Sequence, residues 1–265
     1  MRIVDCILNA HNLSLVVMAA VVCILGSWIT IRLLRRARTG NFSARSAWIL
    51  LGSVAGGATI WCTHFVAMIA YEPGVAVTYE PGLTGLSLLV AIMGSTTALI
   101  VAAQRFRGSA LAGGLLFGGA VAAMHFTGMS AFAVDAAVVW SPTYVAISII
   151  GSLIFGALSF ELAARRDDRK GLVLAVGAMV VGIVVLHFTA MSAMTILPFA
   201  PLDAALTGDS AKAILASASP AWPFWCWAPA RPAMPWTTSP APRRRPGSSN
   251  WLKAASTAWW SSAPG

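Results

Sequence analysis

Long apolar segments separated by short polar stretches dominate most of the chain. An α-helix needs about 20 apolar residues to cross the hydrocarbon core of a bilayer, and six segments reach that length. They run approximately from His11 to Leu34, Ser46 to Tyr71, Leu83 to Gln104, Ser109 to Ala133, Thr143 to Ala164 and Gly171 to Ile196. The pattern predicts an all-α, polytopic membrane bundle of six transmembrane helices.

The composition supports a membrane protein and argues against other classes. Hydrophobic residues make up 58% of the chain and charged residues 10%, whereas soluble domains carry roughly 25% charged residues. The net charge of +9 does not indicate nucleic-acid binding, because the basic residues lie in short clusters between apolar segments. The four cysteines contain no C-x-x-C pair, so neither a disulfide framework nor a structural zinc site is indicated.

Lysine and arginine cluster in the loops that follow the three odd-numbered helices. In short loops such residues are retained on the cytoplasmic side, so the amino terminus and the ends of the even-numbered helices are predicted to lie outside. Aromatic residues near that outer boundary, Trp61, Tyr71, Tyr79 and Trp140, are typical of an aromatic belt. The basic loop residues are Arg32, Arg35, Arg36, Arg38 and Arg45, then Arg105 and Arg107, then Arg165, Arg166, Arg169 and Lys170.

Each even-numbered helix ends in the motif His-Phe-x-(Ala/Gly)-Met. The copies occupy residues 64–68, 125–129 and 187–191, and their histidines are 61 and 62 residues apart. This regular spacing predicts a threefold repeat of helix pairs. Small residues recur at matching positions of the odd-numbered helices, at Gly26-Ser27, Gly94-Ser95 and Gly156-Ala157.

The motif also predicts a metal site near the outer face. A histidine and a methionine four residues apart lie on one face of a helix, so imidazole and thioether can converge on one ion. Thioether sulfur is soft, and it favours copper over zinc, calcium or magnesium. Met194 extends the same face, whereas Met124 points about 100° away from it. The predicted metal ligands are His64, Met68, His125, Met129, His187 and Met191.

Packing is the alternative role for these side chains. A histidine at the outer end of a membrane helix is often interfacial, and methionine commonly fills gaps in a core. The ligand hypothesis is favoured because three histidines share one context at one depth. His11 lacks the motif and is predicted to be an interfacial or packing residue.

The run from Met124 to Met129, its two relatives and the paired helices resemble the MHYT domain family of bacterial membrane sensors over about residues 9 to 200. The tyrosine of the family name is replaced by Phe65, Phe126 and Phe188. The resemblance implies copper bound by the outward-facing histidines and methionines. It also implies sensing of a diatomic gas such as oxygen, carbon monoxide or nitric oxide.

The expected partners follow from the same resemblance. They are membrane lipid, the gas ligand and a cytoplasmic signalling partner such as a cyclic di-GMP enzyme or a kinase, with no nucleic acid. The expected location is the bacterial cytoplasmic membrane, and the chain itself is expected to have no enzymatic activity. Two alternatives stay open. One is a haem- or copper-containing redox protein with histidine axial ligands, and the other is a metal transporter.

The predicted domains are a six-helix sensor domain over residues 1–211 and an irregular tail over residues 212–265. Repeated prolines after Ala221 would break a spanning helix. The amino acids Trp222 to Ala228 determine most bases of their codons. Read in the frame that starts one base earlier, these bases encode apolar residues typical of a membrane helix. A frameshift near Ala216 that replaced a seventh helix is therefore our hypothesis, and resequencing the locus tests it.

Overall fold

Six long α-helices form a bundle in the computed structural model, which describes residues 10–40, 42–75, 77–134 and 136–198. All six are long and apolar enough to cross a membrane, which confirms the predicted all-α membrane bundle. The predictions for residues 212–265 lie outside the described residues. The helices are α1 (Leu13–Thr39), α2 (Phe42–Ala70), α3 (Pro81–Ala102), α4 (Ser109–Ser130), α5 (Pro142–Arg165) and α6 (Arg169–Ala193).

Consecutive helices are neighbours in space, and the ring closes where α6 meets α1. Contacts are most extensive within the pairs α1/α2, α3/α4 and α5/α6. In the membrane-length windows, 44% to 56% of residues are buried in the even-numbered helices but only 28% to 33% in the odd-numbered ones. The even-numbered helices, which carry the motifs, therefore lie nearer the centre of the bundle.

The outer surface of the helices is strongly apolar. Leu25, Leu50, Leu89 and Ile154 are among many large apolar side chains that are exposed in the isolated chain. A soluble monomer rarely exposes a continuous apolar surface of this kind. Lipid tails would cover these side chains in a bilayer, in agreement with a multi-pass membrane protein.

Local sequence explains where several helices begin. Asn12, Glu80 and Asp168 are the N-cap residues of α1, α3 and α6, and their side-chain oxygens accept hydrogen bonds from backbone N–H groups of the first turn. Pro81 and Pro142 follow the N-caps of α3 and α5, where a missing N–H group costs nothing.

Three antiparallel pairings close the bundle at the end where the even-numbered helices finish. Strand β1 (Val77–Tyr79) pairs with β2 (Phe132–Val134), and β3 (Ala136–Trp140) pairs with β4 (Met194–Pro198). The third pairing is a bridge between His11 and Tyr71.

One backbone hydrogen bond recurs in all three pairings. The N-cap residue of each odd-numbered helix donates its N–H to a carbonyl at the end of its paired even-numbered helix, at N···O distances of 2.8 to 2.9 Å. This recurrence supports the predicted threefold repeat of helix pairs. The bonds join Asn12 to Ala70, Glu80 to Ala131, and Ser141 to Ala193.

The short strands correct two predicted helix ends. The sequence pattern extended α4 to Ala133 and α6 to Ile196, but α4 ends at Ser130 and α6 at Ala193. Hydropathy could not reveal these ends, because the strand residues are as apolar as the helices before them. At the opposite end α1 continues to Thr39, five residues past its predicted end at Leu34. Hydropathy placed the end too early, because the last helical turns contain the arginine cluster and are polar.

Arginines from the first helix pair hold the opposite end of the bundle together. Arg35 donates to the backbone carbonyl of Arg166, which follows α5, while Arg38 and Arg45 donate to Ala102 and Ala103 at the end of α3. The last carbonyls of a helix lack partners within the helix and carry partial negative charge. These contacts therefore link the first helix pair to the two others at the end where the basic loops gather.

Candidate metal centre

The three motif histidines come from three different helices and meet in the interior of the bundle. His64, His125 and His187 stand at matching positions in the last two turns of α2, α4 and α6. Their exposed fractions are 3%, 1% and 5%. The repeat therefore brings together, at one level, three imidazoles that are far apart in the sequence.

The histidine cluster is tight, and its Nδ1 atoms converge. The Nδ1 atom of His64 lies 3.2 Å from that of His125 and 3.4 Å from that of His187. The ring centroids are 4.8 to 5.4 Å apart. Within the described part of the chain, this triad is the one group of three or more histidine, cysteine, aspartate or glutamate residues that is placed to hold a metal ion.

The hydrogen-bonding capacity of these imidazoles is poorly used within the protein. A neutral imidazole has one N–H donor and one nitrogen lone pair. As an acceptor, His64 Nδ1 therefore has a single lone pair, although it faces the Nδ1 atoms of both His125 and His187. The Nε2 atoms of all three histidines are buried and have no hydrogen-bond partner among the described residues. A buried polar atom without a partner costs about 1–3 kcal/mol. A cation among the Nδ1 atoms would accept their lone pairs, and each neutral ring would then carry its proton on Nε2.

The spacing also matches that of imidazoles around one ion. With metal–nitrogen bonds of about 2.0–2.1 Å and a tetrahedral angle, two ligand nitrogens are about 3.3–3.4 Å apart. The observed Nδ1 separations of 3.2 and 3.4 Å lie close to this value. The two separations from His64 therefore match those of ligands on a shared ion, and the ligand atoms of all three histidines lie within 4.8 Å of one another.

Gly128 allows one of the histidines to enter the cluster. A β-carbon at position 128 would lie 2.6 Å from Nε2 of His64 and 3.0 Å from its Cδ2. Such distances are far below normal contact, so a larger residue at this point of α4 would force the His64 ring to shift. The glycine of this motif copy thus permits the close approach of α2 and α4 at this point.

The motif methionines form a second buried cluster. Met68, Met129 and Met191 each lie four residues after a motif histidine, one helical turn closer to the end of the bundle that carries the strands. They pack together with Met194. Met194 joins them from β4 instead of from a continued helix. Met124 packs in the main apolar core, which agrees with the prediction that it points away from the motif face.

Aromatic residues cover the methionine cluster. Tyr71, Tyr79, Phe132 and Trp140 pack against it, and the hydroxyl group of Tyr79 donates to the carbonyl of Met68 at 3.2 Å. Burial raises the pKa of Tyr79 above its usual range. The aromatic-belt prediction did not anticipate this inward packing of Tyr71, Tyr79 and Trp140. These rings instead lie between the methionine thioethers and the end of the bundle that the antiparallel pairings close.

His11 lies beside the triad, which the sequence interpretation missed. Its side chain is 6% exposed, and its ring centroid lies 6.3 Å from that of His187 and 5.3 Å from that of Phe188. The available signal was its position before an N-cap residue, which matches Tyr79 and Trp140. All three side chains contain a ring, but the residue types differ, so the sequence shows no shared motif at these positions.

A family model described as "Bacterial signalling protein N terminal repeat", MHYT, matches the chain in two tandem copies, at residues 57–114 and 118–176. Each matched copy contains one motif histidine, His64 in the first and His125 in the second. The third motif lies beyond the second match. No solved structure matches the chain significantly.

Several curated proteins are similar to most of the chain. An uncharacterized signaling protein of Caulobacter vibrioides is 39% identical over 207 residues, which cover 78% of this chain and 25% of the relative. The bifunctional diguanylate cyclase/cyclic di-GMP phosphodiesterase MucR of Pseudomonas aeruginosa is 34% identical, over 71% of this chain and 28% of its own length.

A third relative is the cyclic di-GMP phosphodiesterase NbdA of Pseudomonas aeruginosa, which is 32% identical over 81% of this chain and 29% of its own length. The chain thus spans between 25% and 29% of the length of these curated relatives. The similarity concerns the membrane-spanning repeats described above.

Proposed function

We propose that this chain, which belongs to the MHYT family of bacterial signalling repeats, is a non-catalytic membrane sensor that binds copper through His64, His125 and His187. The observation that carries the proposal is the convergence of three buried Nδ1 atoms at 3.2 and 3.4 Å. A purely packed core has no need to turn three ring nitrogens toward one another. A cation is the simplest species that satisfies all three.

Copper is the metal that the surrounding donors favour. Imidazole nitrogen suits both copper and zinc, but thioether sulfur selects reduced copper. Met68, Met129 and Met191 supply thioethers one turn from the histidines. The three histidines are therefore the proposed nitrogen ligands, and the thioethers of these three methionines are the candidate sulfur ligands.

When bound, the ion would supply the site to which a diatomic gas such as oxygen, carbon monoxide or nitric oxide binds. The protein contributes a buried, largely apolar surrounding, because His64, His125 and His187 lie between the main core and the methionine cluster. Small apolar gases dissolve in such an environment more readily than ions do. This supports a gas as the signal in preference to a charged solute.

Movement of the even-numbered helices would carry the signal across the membrane. Each motif histidine belongs to one of these inner helices, so a change in their spacing displaces α2, α4 and α6 relative to one another. At the opposite end Arg35, Arg38 and Arg45 tie the first pair to the ends of α3 and α5. A shift of α1 or α2 is therefore passed to both other pairs.

The output would be a change in cyclic di-GMP metabolism in the cytoplasm. Two relatives are named as enzymes of cyclic di-GMP turnover, and the chain matches only about a quarter of their length. We assign the present chain to the sensing part, located in the cytoplasmic membrane. The enzymatic step would then lie outside the six-helix repeats, in another domain or in a partner such as a cyclic di-GMP enzyme or a kinase.

A haem at the same histidines is disfavoured by their packing. Two axial imidazoles must stand on opposite faces of a porphyrin, which separates them. Here the rings of His64 and His125 are in edge contact, with centroids 4.8 Å apart. A porphyrin does not fit between rings in this arrangement.

Metal analysis of the purified full chain tests the proposal. After exposure to copper and removal of loosely held metal by a chelator, the wild type should retain about one copper per chain. The variant with His64, His125 and His187 all changed to alanine should retain almost none. A second variant with glutamine at the same positions keeps polar side chains of similar size, so that a loss common to both cannot be attributed to a cavity.

Circular dichroism and gel filtration of all three proteins provide the folding control. Equal copper retention by the wild type and the folded variants would overturn the proposed site. The gas is tested separately, by infrared spectra of carbon monoxide added to the reduced, copper-loaded protein. A band that is present in the wild type and absent from the histidine variants is expected.

A further inference from the structure

The end of the bundle that carries the basic loops has a large excess of positive charge. Eleven lysine and arginine residues but only three acidic residues lie in and beside these loops. The acidic residues are Glu161, Asp167 and Asp168. Among the described residues, the one ion pair joins Arg165 to Glu161, at 3.1 Å. Most of this positive charge is therefore not neutralised by the protein itself.

Some of these cations are used within the fold, and others remain available for a ligand. Arg35, Arg38 and Arg45 donate to backbone carbonyls of the neighbouring helix pairs. The side chains of a second group are exposed and make neither a hydrogen bond nor an ion pair with any described residue. They are Arg105, Arg107, Arg166, Arg169 and Lys170.

The loop between α3 and α4 places an exposed aromatic ring between two of the available cations. Residues 104 to 108 are all exposed, and Phe106, at 56%, lies between Arg105 and Arg107. Phe106 is only four positions after Ala102, the last residue of α3, so it lies close to the boundary of the spanning segment. At such a boundary an aromatic ring packs beside the lipid acyl chains, while arginine side chains extend toward the phosphates.

The first helix pair presents a similar combination at the same end. The guanidinium group of Arg36 stands over the ring of Trp48, with its Cζ atom 5.0 Å from the ring centroid. Arg36 is exposed, and Trp48 is half-buried. This cation–π contact holds the guanidinium group beside the apolar outer surface. Two of the three helix pairs thus present an arginine next to an aromatic ring at the basic end.

We infer that the basic end of the bundle binds the phosphate groups of anionic phospholipids, with Arg105, Phe106 and Arg107 as the principal contact. A guanidinium group donates charge-assisted hydrogen bonds to phosphate, and basic clusters beside a membrane helix attract anionic headgroups. An acidic protein surface would also suit the arginines, but the exposed phenyl ring favours a lipid, because acyl chains can cover it. The inference does not depend on metal binding, since none of these residues belongs to the histidine triad.

Native mass spectrometry of the purified full chain in detergent tests the inference. Dioleoylphosphatidylglycerol is the anionic probe, and dioleoylphosphatidylcholine, which has the same acyl chains and no net charge, is the reference lipid. The wild type should bind the anionic lipid about 10- to 30-fold more tightly, and high salt should reduce this preference because it screens charge. Equal affinity for the two lipids would overturn the inference.

Two double variants locate the contact. Arg105→Gln with Arg107→Gln should lower the affinity for the anionic lipid about 10- to 30-fold. The matched control is Arg169→Gln with Lys170→Gln, which removes the same charge from a loop that contains no aromatic residue and should lower the affinity less than threefold. Equal losses in the two double variants would show a general effect of net charge and would overturn the assigned contact.

Phe106 provides a test that leaves the charge unchanged. Phe106→Ser should weaken binding of the anionic lipid about three- to tenfold, whereas Phe106→Leu, which keeps an apolar side chain, should retain most of the affinity. Gel filtration checks that each variant is folded. An unchanged affinity in Phe106→Ser would overturn the inference and would favour an acidic protein surface as the partner of the arginines.

Discussion

Gly128 on α4 and His64 on α2 lie so close together that a β-carbon at position 128 would come within 2.6 Å of the His64 Nε2 atom. The other nitrogen of the same ring, Nδ1, faces His125 and His187. The position of His64 within the triad therefore depends on a missing side chain on another helix.

Gly128→Ala should displace His64 and weaken copper binding. A misplacement that costs about 1.4 kcal/mol lowers the affinity about tenfold, and a loss of this size or larger is expected in a chelator competition. Gly119→Ala is the control on the same helix, because a β-carbon there meets only Leu153, at 3.9 Å. Equal affinities for the two variants would show that the Gly128 contact does not position His64.

The motif methionines should influence which metal is bound. Met129→Leu removes a thioether from the methionine cluster, so the preference for monovalent copper over zinc should fall, as measured by competition between the two ions. Met124→Leu makes the same chemical change in the main core, and it should leave the preference unchanged. Exchange of methionine for leucine usually costs less than about 1.5 kcal/mol of stability, so both variants should fold. An identical change of metal preference in the two variants would contradict a role for the methionine cluster.

The arginine contacts at the basic end should contribute to stability. Arg38 is partly buried and donates to the carbonyl of Ala102, and hydrogen bonds of charged groups contribute about 1.5–3 kcal/mol. Arg38→Met should therefore lower the thermal unfolding midpoint in detergent by several degrees. Arg32→Met, at an exposed position of the same helix, should change it little. A larger effect at Arg32 would contradict the proposed link between helix pairs.

The sidedness of the membrane is predicted from charge alone. Reporter enzymes fused after Arg38, Arg107 or Lys170 should report the cytoplasm, because basic loops are retained there. A reporter fused after Gly74, at the end that carries the strands, should report the exterior. A cytoplasmic signal at Gly74 would reverse the orientation and place the histidine cluster near the inner face.

Much of the fold was predictable because the length and hydropathy of an apolar segment identify a membrane helix. The convergence of His64, His125 and His187 was also predictable, since an identical motif at equal spacing places its residues at equal depth. The strands were not, because Phe132 and Met194 continue the apolar run that precedes them. Their backbone leaves the helix only because a partner segment, distant in the sequence, accepts and donates hydrogen bonds at that point.

The position of His11 was hidden for a related reason. Its equivalents, Tyr79 and Trp140, are recognised only when the residues before each N-cap are superposed in space. An isolated histidine before a helix resembles many interfacial residues. Its contact with His187 arises from the closure of the ring between α6 and α1, which is a property of the assembled bundle and not of any local segment.

X-ray absorption at the copper edge of the purified, copper-loaded chain would show directly whether the three histidines hold the metal. The spectrum should show scattering from three imidazole rings, with copper–nitrogen distances of about 2.0 Å. The same spectrum should lose its imidazole features when His64, His125 and His187 are replaced together. Copper held without imidazole scattering, or with an unchanged spectrum in the triple variant, would contradict a metal centre at these histidines.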